Sequence, residues 1–149
     1  MNGELQIIYN EASAVDEKQI RDLLLDVEGD DSRFDLDSFV VAKEGDMVVG
    51  CTRIKKLPGD CLELASLAVL SEYRRKGIGS TLIKEILEKE QKRPIYLITS
   101  SDMINFYQNF GFMVTEPDLL VEGIKEEYCR IMNMPFVENM QVVVMAIGL

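Results

Sequence analysis

Residues 63–80 read ELASLAVLSEYRRKGIGS. The first eight are apolar apart from Glu63 and Ser66, a pattern that favours a buried β-strand. The stretch continues as a basic turn with two glycines, and apolar side chains follow at helical spacing. The sequence therefore predicts a central strand, a short turn and the start of a long helix.

The turn has the properties of an anion-binding site. Backbone N–H groups at a helix N-terminus are unpaired and carry the positive end of the helix dipole. Gly77 and Gly79 let a ligand approach the backbone closely, and the run 74–76 is basic. A Walker A loop would need Gly-Lys-Ser/Thr at its end, and a dinucleotide fingerprint would need a third glycine where Leu82 stands. Neither motif fits.

The spacing Arg74-x-x-Gly77-x-Gly79 resembles the acetyl-CoA motif of the GCN5-related N-acetyltransferases, the GNAT superfamily, which is [QR]-x-x-G-x-[GA] after a central strand. Residues 106–112, FYQNFGF, are similar to a second signature of that family, an aromatic–Tyr pair closely followed by Gly-Phe. Both signatures occur in the family's order, and the order of predicted elements fits nearly the whole chain. The resemblance implies an α+β, three-layer fold with a mixed, mostly antiparallel central sheet of about six to seven strands flanked by helices.

The resemblance also implies acetyl-CoA as co-substrate and no metal. The pyrophosphate would bind the turn, and the pantetheine arm would follow the edge of the preceding strand. Many relatives carry an Asn seven residues before the signature tyrosine, where this chain has Ser100, so Ser100, Ser101 and Asn105 are alternatives for that contact. The residues expected at the co-substrate are Leu67, Ala68, Val69, Arg74, Arg75, Lys76, Gly77, Ile78, Gly79, Ser80 and Ser100.

Two catalytic groups follow from the same resemblance. Glu63, 14 residues before Gly77, matches the general base of several members. A base is required because an ammonium with a pKa near ~10 must lose a proton before its nitrogen attacks a thioester. Tyr107 matches the general acid that protonates the leaving thiolate. The structural alternatives are a salt bridge from Glu63 to Arg53 and a core position for the Tyr107 ring.

Composition restricts the function further. The chain has 149 residues, a net charge of −10 and no histidine. The length predicts one domain, and the resemblance implies that it is an N-acetyltransferase domain spanning residues 1–149. Without histidine, Ser-His-Asp triads, Cys-His pairs and H-E-x-x-H zinc sites are excluded. The negative charge argues against nucleic acid as a partner.

The predicted location is the cytoplasm, with no membrane partner. Residues 1–4 lack the features of a signal peptide, and the apolar run 142–147 is far shorter than the ~20 residues of a membrane helix. Cys51, Cys61 and Cys129 lack C-x-x-C spacing, which favours reduced thiols that behave as small apolar side chains.

Periodicity predicts the remaining elements. Ile20, Leu23, Leu24 and Val27 form one face of a helix, and Ile78, Leu82, Ile83, Ile86 and Leu87 form the buried face of another over residues 77–91. A short helix over 102–109 is expected to end at Gly111, and one more helix carries residues 120–131. Strands are predicted over residues 5–9, 39–42, 47–52, 62–70, 95–99, 113–115 and 141–147, the last being a candidate edge for a homodimer.

The sequence gives weaker evidence for the identity of the acceptor amine than for the co-substrate. Residues 11–37 contain ten acidic and three basic residues, whereas residues 71–93 contain seven basic and four acidic ones. The acidic run Glu28, Asp30, Asp31, Asp35 and Asp37 favours a cationic acceptor or is a solvated loop. A weaker resemblance to the short amino-acid N-acetyltransferases of arginine biosynthesis implies a free amino acid, whose carboxylate would need Arg33, Arg53 or Lys55.

The predicted function is therefore transfer of the acetyl group of acetyl-CoA to a primary amine of a small molecule or peptide. Direct transfer within a ternary complex is expected. The alternative is a noncatalytic acyl-CoA sensor, which would keep the turn but have no use for Glu63 and Tyr107.

Overall fold

The computed structural model describes residues 6–149. Residues 1–4, where signal-peptide features were sought, and Leu5, where the first strand was predicted to begin, lie outside the described residues. Among the described residues, no helix combines the length and the hydropathy needed to cross a membrane.

Strands and helices alternate along this part of the chain. In chain order they are β1 (Ile7–Glu11), α1 (Glu17–Asp26), β2 (Phe39–Glu44), β3 (Met47–Leu57), β4 (Cys61–Val69), α2 (Ile78–Lys89), β5 (Ile95–Ser100), α3 (Ile104–Gln108), β6 (Met113–Thr115), α4 (Glu122–Met132) and β7 (Val142–Ile147). Each predicted element is present, with ends that differ by a few residues.

The strands form one seven-stranded sheet in the order β1-β2-β3-β4-β5-β7-β6. The β4–β5 pair is parallel, and the β1–β2, β2–β3, β5–β7 and β6–β7 pairs are antiparallel. The predicted α+β class with a mixed, mostly antiparallel sheet is confirmed. β4 is the middle strand, as its apolar sequence indicates.

The prediction that the last strand is an edge is wrong. β7 pairs with β5 along one side and with β6 along the other. The three-residue strand β6 is antiparallel to β7 and covers the side that the sequence left open. β7 therefore lacks the free edge on which the homodimer prediction was based, and a homodimer stays a prediction.

The chain divides into two compact units, one formed by residues up to 54 with 65–91 and the other by residues 55–64 with 92–149. In the first unit the predicted face of α1, Ile20, Leu23 and Leu24, is buried against β2, and Val27 is partly buried. Helix α2 also contacts β2. It buries the predicted Ile78, Leu82, Ile83 and Ile86, whereas Leu87 is half-buried. Each fully buried Leu or Ile contributes about 1.5–3 kcal/mol.

In the second unit α4 approaches the sheet closely at Gly123. A Cβ at this position would lie 2.6 Å from the Pro58 carbonyl oxygen and 2.8 Å from the Cys61 Cβ. Only glycine permits this contact, which lets Ile124 pack with Leu57, Cys61, Tyr96, Val144 and Ala146.

The single domain over residues 1–149 stays a prediction.

Candidate functional site

The turn before α2 leaves the start of the helix open. Gly77 is the N-cap residue and has a left-handed φ of +81°. Within residues 6–149, no side chain caps the first turn of α2. Its first amide N–H groups therefore lack a side-chain acceptor, the condition for binding an anion.

The two glycines of the motif lie beside open space, and close packing does not require glycine at either position. Apart from its own turn, a Cβ at Gly77 would have no heavy atom of residues 6–149 within 4 Å, and one at Gly79 would meet the Val69 Cγ2 at 4.0 Å. At Gly77 the left-handed backbone explains the glycine. At Gly79 none of the described residues excludes a side chain, so the open space is available to a ligand.

The other predicted co-substrate residues lie around this turn in the first unit. Arg74, Arg75 and Lys76 are exposed, and Arg74 Nε donates a 3.1 Å hydrogen bond to the Val69 carbonyl at the end of β4. Leu67, Val69, Gly79 and Ser80 are half-buried, and Ala68 is buried. The Ile78 side chain is 3 % exposed and belongs to the core, which leaves its backbone for ligand contact.

Glu63 is buried in β4 next to a lysine. The Lys55 ammonium on β3 lies 3.4 Å from Glu63 Oε1, and the two side chains are 1 % and 3 % exposed. Lys55 also donates a hydrogen bond to Glu127 Oε2 on α4. The second oxygen of Glu127 accepts from Arg130 Nε at 2.5 Å. Alternating charges therefore connect α4 to Glu63.

Glu127 is ionised in this arrangement. Burial alone would raise the pKa of its carboxyl group, but hydrogen bonds from Arg130 and Lys55 and the charges of both cations outweigh burial. The net effect lowers its pKa below the ordinary glutamate value.

The Arg53 side chain is buried and hydrogen-bonded in the first unit. Its side chain is fully buried and donates to the Ser66 hydroxyl at 2.8 Å, and to the carbonyls of Asp30, Ser32 and Arg33 at 3.1, 2.7 and 3.1 Å. The expectation that Arg53 or Lys55 would bind the carboxylate of an amino-acid acceptor is wrong for the structure described here, because both are buried against protein acceptors. Of the three predicted cations, Arg33 is exposed.

Tyr107 lies in an aromatic cluster and is 8 % exposed. Its ring makes edge contacts with Phe106 at 5.0 Å and Phe112 at 6.0 Å between centroids. Burial raises its pKa to about 12. In the described part of the chain its hydroxyl makes no hydrogen bond. The hydroxyl is thus a protonated donor at neutral pH.

Ser100, at the end of β5, is half-buried and donates from its hydroxyl to the Asp102 carboxylate. Ser101 is half-buried and Asn105 is exposed. All three sequence candidates for the pantetheine contact therefore remain open.

Sequence reasoning missed Glu127 and Arg130. The signal was present, because Glu127 follows Ile124 by three residues and so lies on the buried face of α4. It also read all three cysteines as apolar side chains. Cys51 and Cys61 are buried as expected, but Cys129 is exposed.

Comparison with known proteins settles the family. Residues 35–114, more than half of the chain, match the acetyltransferase (GNAT) domain. The chain belongs to the GNAT family. This confirms the resemblance inferred from the two sequence signatures, since the matched range contains both.

Two curated relatives are similar to this GNAT chain. It is 30 % identical over 89 residues to the uncharacterized N-acetyltransferase CT2212 of Chlorobaculum tepidum, covering 58 % of this chain and 56 % of the relative. It is 30 % identical over 88 residues to the uncharacterized N-acetyltransferase YsnE of Bacillus subtilis, covering 54 % and 58 %. The chain spans about half the length of these relatives.

The fold is also similar to a solved structure of N-acetylglutamate synthase from Neisseria gonorrhoeae, complexed with coenzyme A and N-acetyl-glutamate. The TM-score is 0.75 with 21 % identity, over 98 % of this GNAT chain and 36 % of the synthase. This agrees with the weaker resemblance to amino-acid N-acetyltransferases at the level of the fold.

Proposed function

We propose that this GNAT protein transfers the acetyl group of acetyl-CoA to a primary amine of a small molecule or peptide. The observation that carries the proposal is the uncapped start of α2, where Gly79 leaves space that none of the described side chains fills. The chemistry of an exposed basic turn and free amides fits a pyrophosphate.

The residues of the turn bind the co-substrate. The backbone of residues 77–80 donates to the pyrophosphate, and the side chains of Arg74, Arg75 and Lys76 add positive charge. The edge of β4 at residues 67–69 binds the pantetheine arm, with Ser100, Ser101 or Asn105 as a further contact. The proposal assigns no role to a metal.

Glu63 is the general base. It removes the proton of the acceptor ammonium, through a water molecule, and so exposes the nitrogen lone pair. Its ion pair with Lys55 favours the charged carboxylate, the form that accepts a proton.

Transfer then occurs directly. The amine nitrogen forms the bond to the acetyl carbon, the carbon–sulfur bond breaks, and Tyr107 gives its proton to the departing sulfur. The acetylated nitrogen then loses its second proton, which restores the Tyr107 phenol. A strand amide among residues 67–69 polarises the carbonyl. The burial that raises the pKa of Tyr107 disfavours a thiolate at the same place, which makes the sulfur a better proton acceptor.

For the acceptor, the acidic run at residues 28–37 supports a cationic amine such as a polyamine, a basic metabolite or an amino-terminal amine. A free amino acid is the second candidate, supported by the fold of the synthase. The proposed location is the cytoplasm, since Cys51, Cys61 and Cys129 are free thiols.

An acceptor screen monitored by free thiol release tests the proposal. We expect turnover with at least one amine, and spermidine and glutamate are the two diagnostic members of the panel. Glu63→Gln and Tyr107→Phe should each lower kcat by about 10²-fold or more, with the Kd for acetyl-CoA within twofold of the wild-type value. Tight binding of acetyl-CoA without transfer to any amine would instead support the noncatalytic sensor.

A further inference from the structure

We propose that Glu127 is a positioning residue for the base Glu63, acting through Lys55. This inference rests on the proposed function, in which Glu63 takes the proton of the acceptor amine. Glu127 lies 64 residues after Glu63 in the sequence and on a helix that carries neither GNAT signature.

Within the second unit, the Lys55 ammonium lies against the carboxylates of Glu63 and Glu127. Lys55 hydrogen-bonds to Glu127 and lies 3.4 Å from Glu63, so its closer partner is the residue on α4. The three side chains are between 1 % and 6 % exposed. Arg130, 36 % exposed, pairs with the other oxygen of Glu127.

A carboxylate paired with a buried ammonium is a weak base. When Glu63 takes up a proton it becomes neutral, and the buried Lys55 ammonium loses one opposite charge, which is unfavourable. Glu127 lowers this penalty, because its carboxylate accepts a hydrogen bond from Lys55 whether or not Glu63 is charged.

The position of Glu127 depends on the backbone of α4. Gly123 and Glu127 are four residues apart and lie on one face of the helix. The absence of a side chain at Gly123 lets the helix lie against Pro58 and Cys61, and this approach brings Glu127 to Lys55 one turn later. The neighbouring Glu126 is exposed and serves as a matched control.

The test is Glu127→Gln, which keeps the shape and removes the charge. We expect kcat to fall about 10- to 100-fold, while the Kd for acetyl-CoA and the KM for the acceptor stay within twofold. Glu126→Gln makes the same change of charge on α4 and should leave kcat unchanged. Glu127→Asp should give an intermediate kcat, because it keeps the charge but withdraws it from Lys55.

A double variant separates positioning from a merely structural role. If Glu127 acts through Glu63, adding Glu127→Gln to Glu63→Gln lowers kcat no further. A second full loss in the double variant, or a wild-type kcat in Glu127→Gln, would overturn the inference. Should Glu127→Gln fail to fold, the same comparison is made with Glu127→Asp.

The same variants test the proposed function separately from the positioning role of Glu127. If the wild type transfers acetyl groups and Glu63→Gln does so at the same rate, Glu63 is not the base and the proposed mechanism fails. If Glu63→Gln is impaired and Glu127→Gln is not, only the positioning role is lost.

Discussion

Ser66 has a left-handed backbone, φ +60°, in the middle of β4, and its hydroxyl accepts a 2.8 Å hydrogen bond from Nε of Arg53 on β3. The Ser66 hydroxyl in turn donates to the Asp30 carbonyl. Left-handed backbone at a non-glycine residue costs about 1–3 kcal/mol and persists only where its surroundings enforce it. Arg53 therefore braces both the irregular point of β4 and the loop that contains Asp30.

The first prediction concerns this brace. Arg53→Lys keeps the charge but loses the fork of donors that reaches Ser32, Arg33 and Ser66. Each buried acceptor that loses its hydrogen bond costs about 1–3 kcal/mol. We therefore expect the free energy of unfolding, measured by urea denaturation, to fall by about 3 kcal/mol. Arg33→Lys, at an exposed side chain, should stay within about 0.5 kcal/mol of wild type. Unchanged stability of Arg53→Lys would contradict the structural role.

The second prediction separates folding from ligand binding at the turn. Among the described residues, a Cβ at position 79 would meet Val69 at 4.0 Å, and alanine is the better helix former by about 1 kcal/mol. Because the motif admits alanine here, we expect Gly79→Ala to have equal or higher thermal stability and a Kd for coenzyme A close to that of wild type. Gly79→Leu fills the open space and should raise that Kd about tenfold or more. Calorimetric titration and a melting curve on the same sample measure both quantities.

Gly77→Ala is the companion variant. Its left-handed φ of +81° imposes about 1–2 kcal/mol of strain on any other residue, so stability should fall. If Gly79→Leu bound coenzyme A as tightly as wild type, the open space above Gly79 would have no role in binding.

The elements of this fold could be predicted from the sequence because each has a strong local period. The face Ile78, Leu82, Ile83 and Ile86 recurs at helical spacing, and those side chains are buried in α2. The place of β7 could not be predicted in this way, because strand order depends on pairing between distant segments.

The candidate site shows the same division. Short motifs mark the turn and Tyr107, and the resemblance assigns Glu63 by its distance from Gly77, so the sequence could predict all three, and their roles stay predictions. The pairing of Lys55 with Glu127 joins residues 72 apart and depends on the close approach of α4 at Gly123. The left-handed backbone of Ser66 could not be predicted from the sequence, because serine, unlike glycine, does not indicate a left-handed conformation.

The third prediction uses the raised pKa of Tyr107. A general acid works only while protonated, so its loss of activity begins as pH approaches its own pKa. An ordinary tyrosine would lose its proton near pH ~10, whereas Tyr107 keeps it until about pH 12. The alkaline limb of kcat should therefore not report a tyrosine ionisation below pH ~11.

Absorbance of the phenolate in wild type and Tyr107→Phe measures the same ionisation directly. The phenylalanine retains the ring contacts with Phe106 and Phe112, so its melting temperature should be close to wild type. A difference spectrum that titrates near pH ~10 would contradict the buried position of Tyr107.

The fourth prediction concerns the thiols. Only the thiolate reacts with iodoacetamide, and burial raises the pKa of Cys51 to about 12 and also raises that of Cys61. Cys129 is exposed. At pH 8 the folded protein should therefore take up one alkyl group rapidly, at Cys129, with no loss of acetyl transfer. Mass spectrometry identifies the modified peptide, and inactivation that tracks its alkylation would point to a catalytic thiol.

The fifth prediction tests whether the acidic run selects a cationic acceptor. The members of this run differ in role, because Asp30 accepts hydrogen bonds from Ser32 and Asp35 accepts from the Asp37 amide, whereas Asp31 is exposed. Replacing Asp30, Asp31 and Asp35 together by Asn is expected to raise the KM for a polyamine, but it also disturbs two local turns. Asp31→Asn alone removes charge without breaking either turn.

We therefore expect Asp31→Asn to raise the KM for spermidine about two- to fivefold at low salt, an effect that added salt should erase because exposed charges are screened. Asp26→Asn makes the same change of charge at an exposed position of α1 and is the matched control. The KM for an acceptor without net positive charge, such as a zwitterionic amino acid, should be the same in wild type, Asp31→Asn and Asp26→Asn. An unchanged KM for spermidine in both Asp31→Asn and the triple variant would leave the acidic run as a solvated loop.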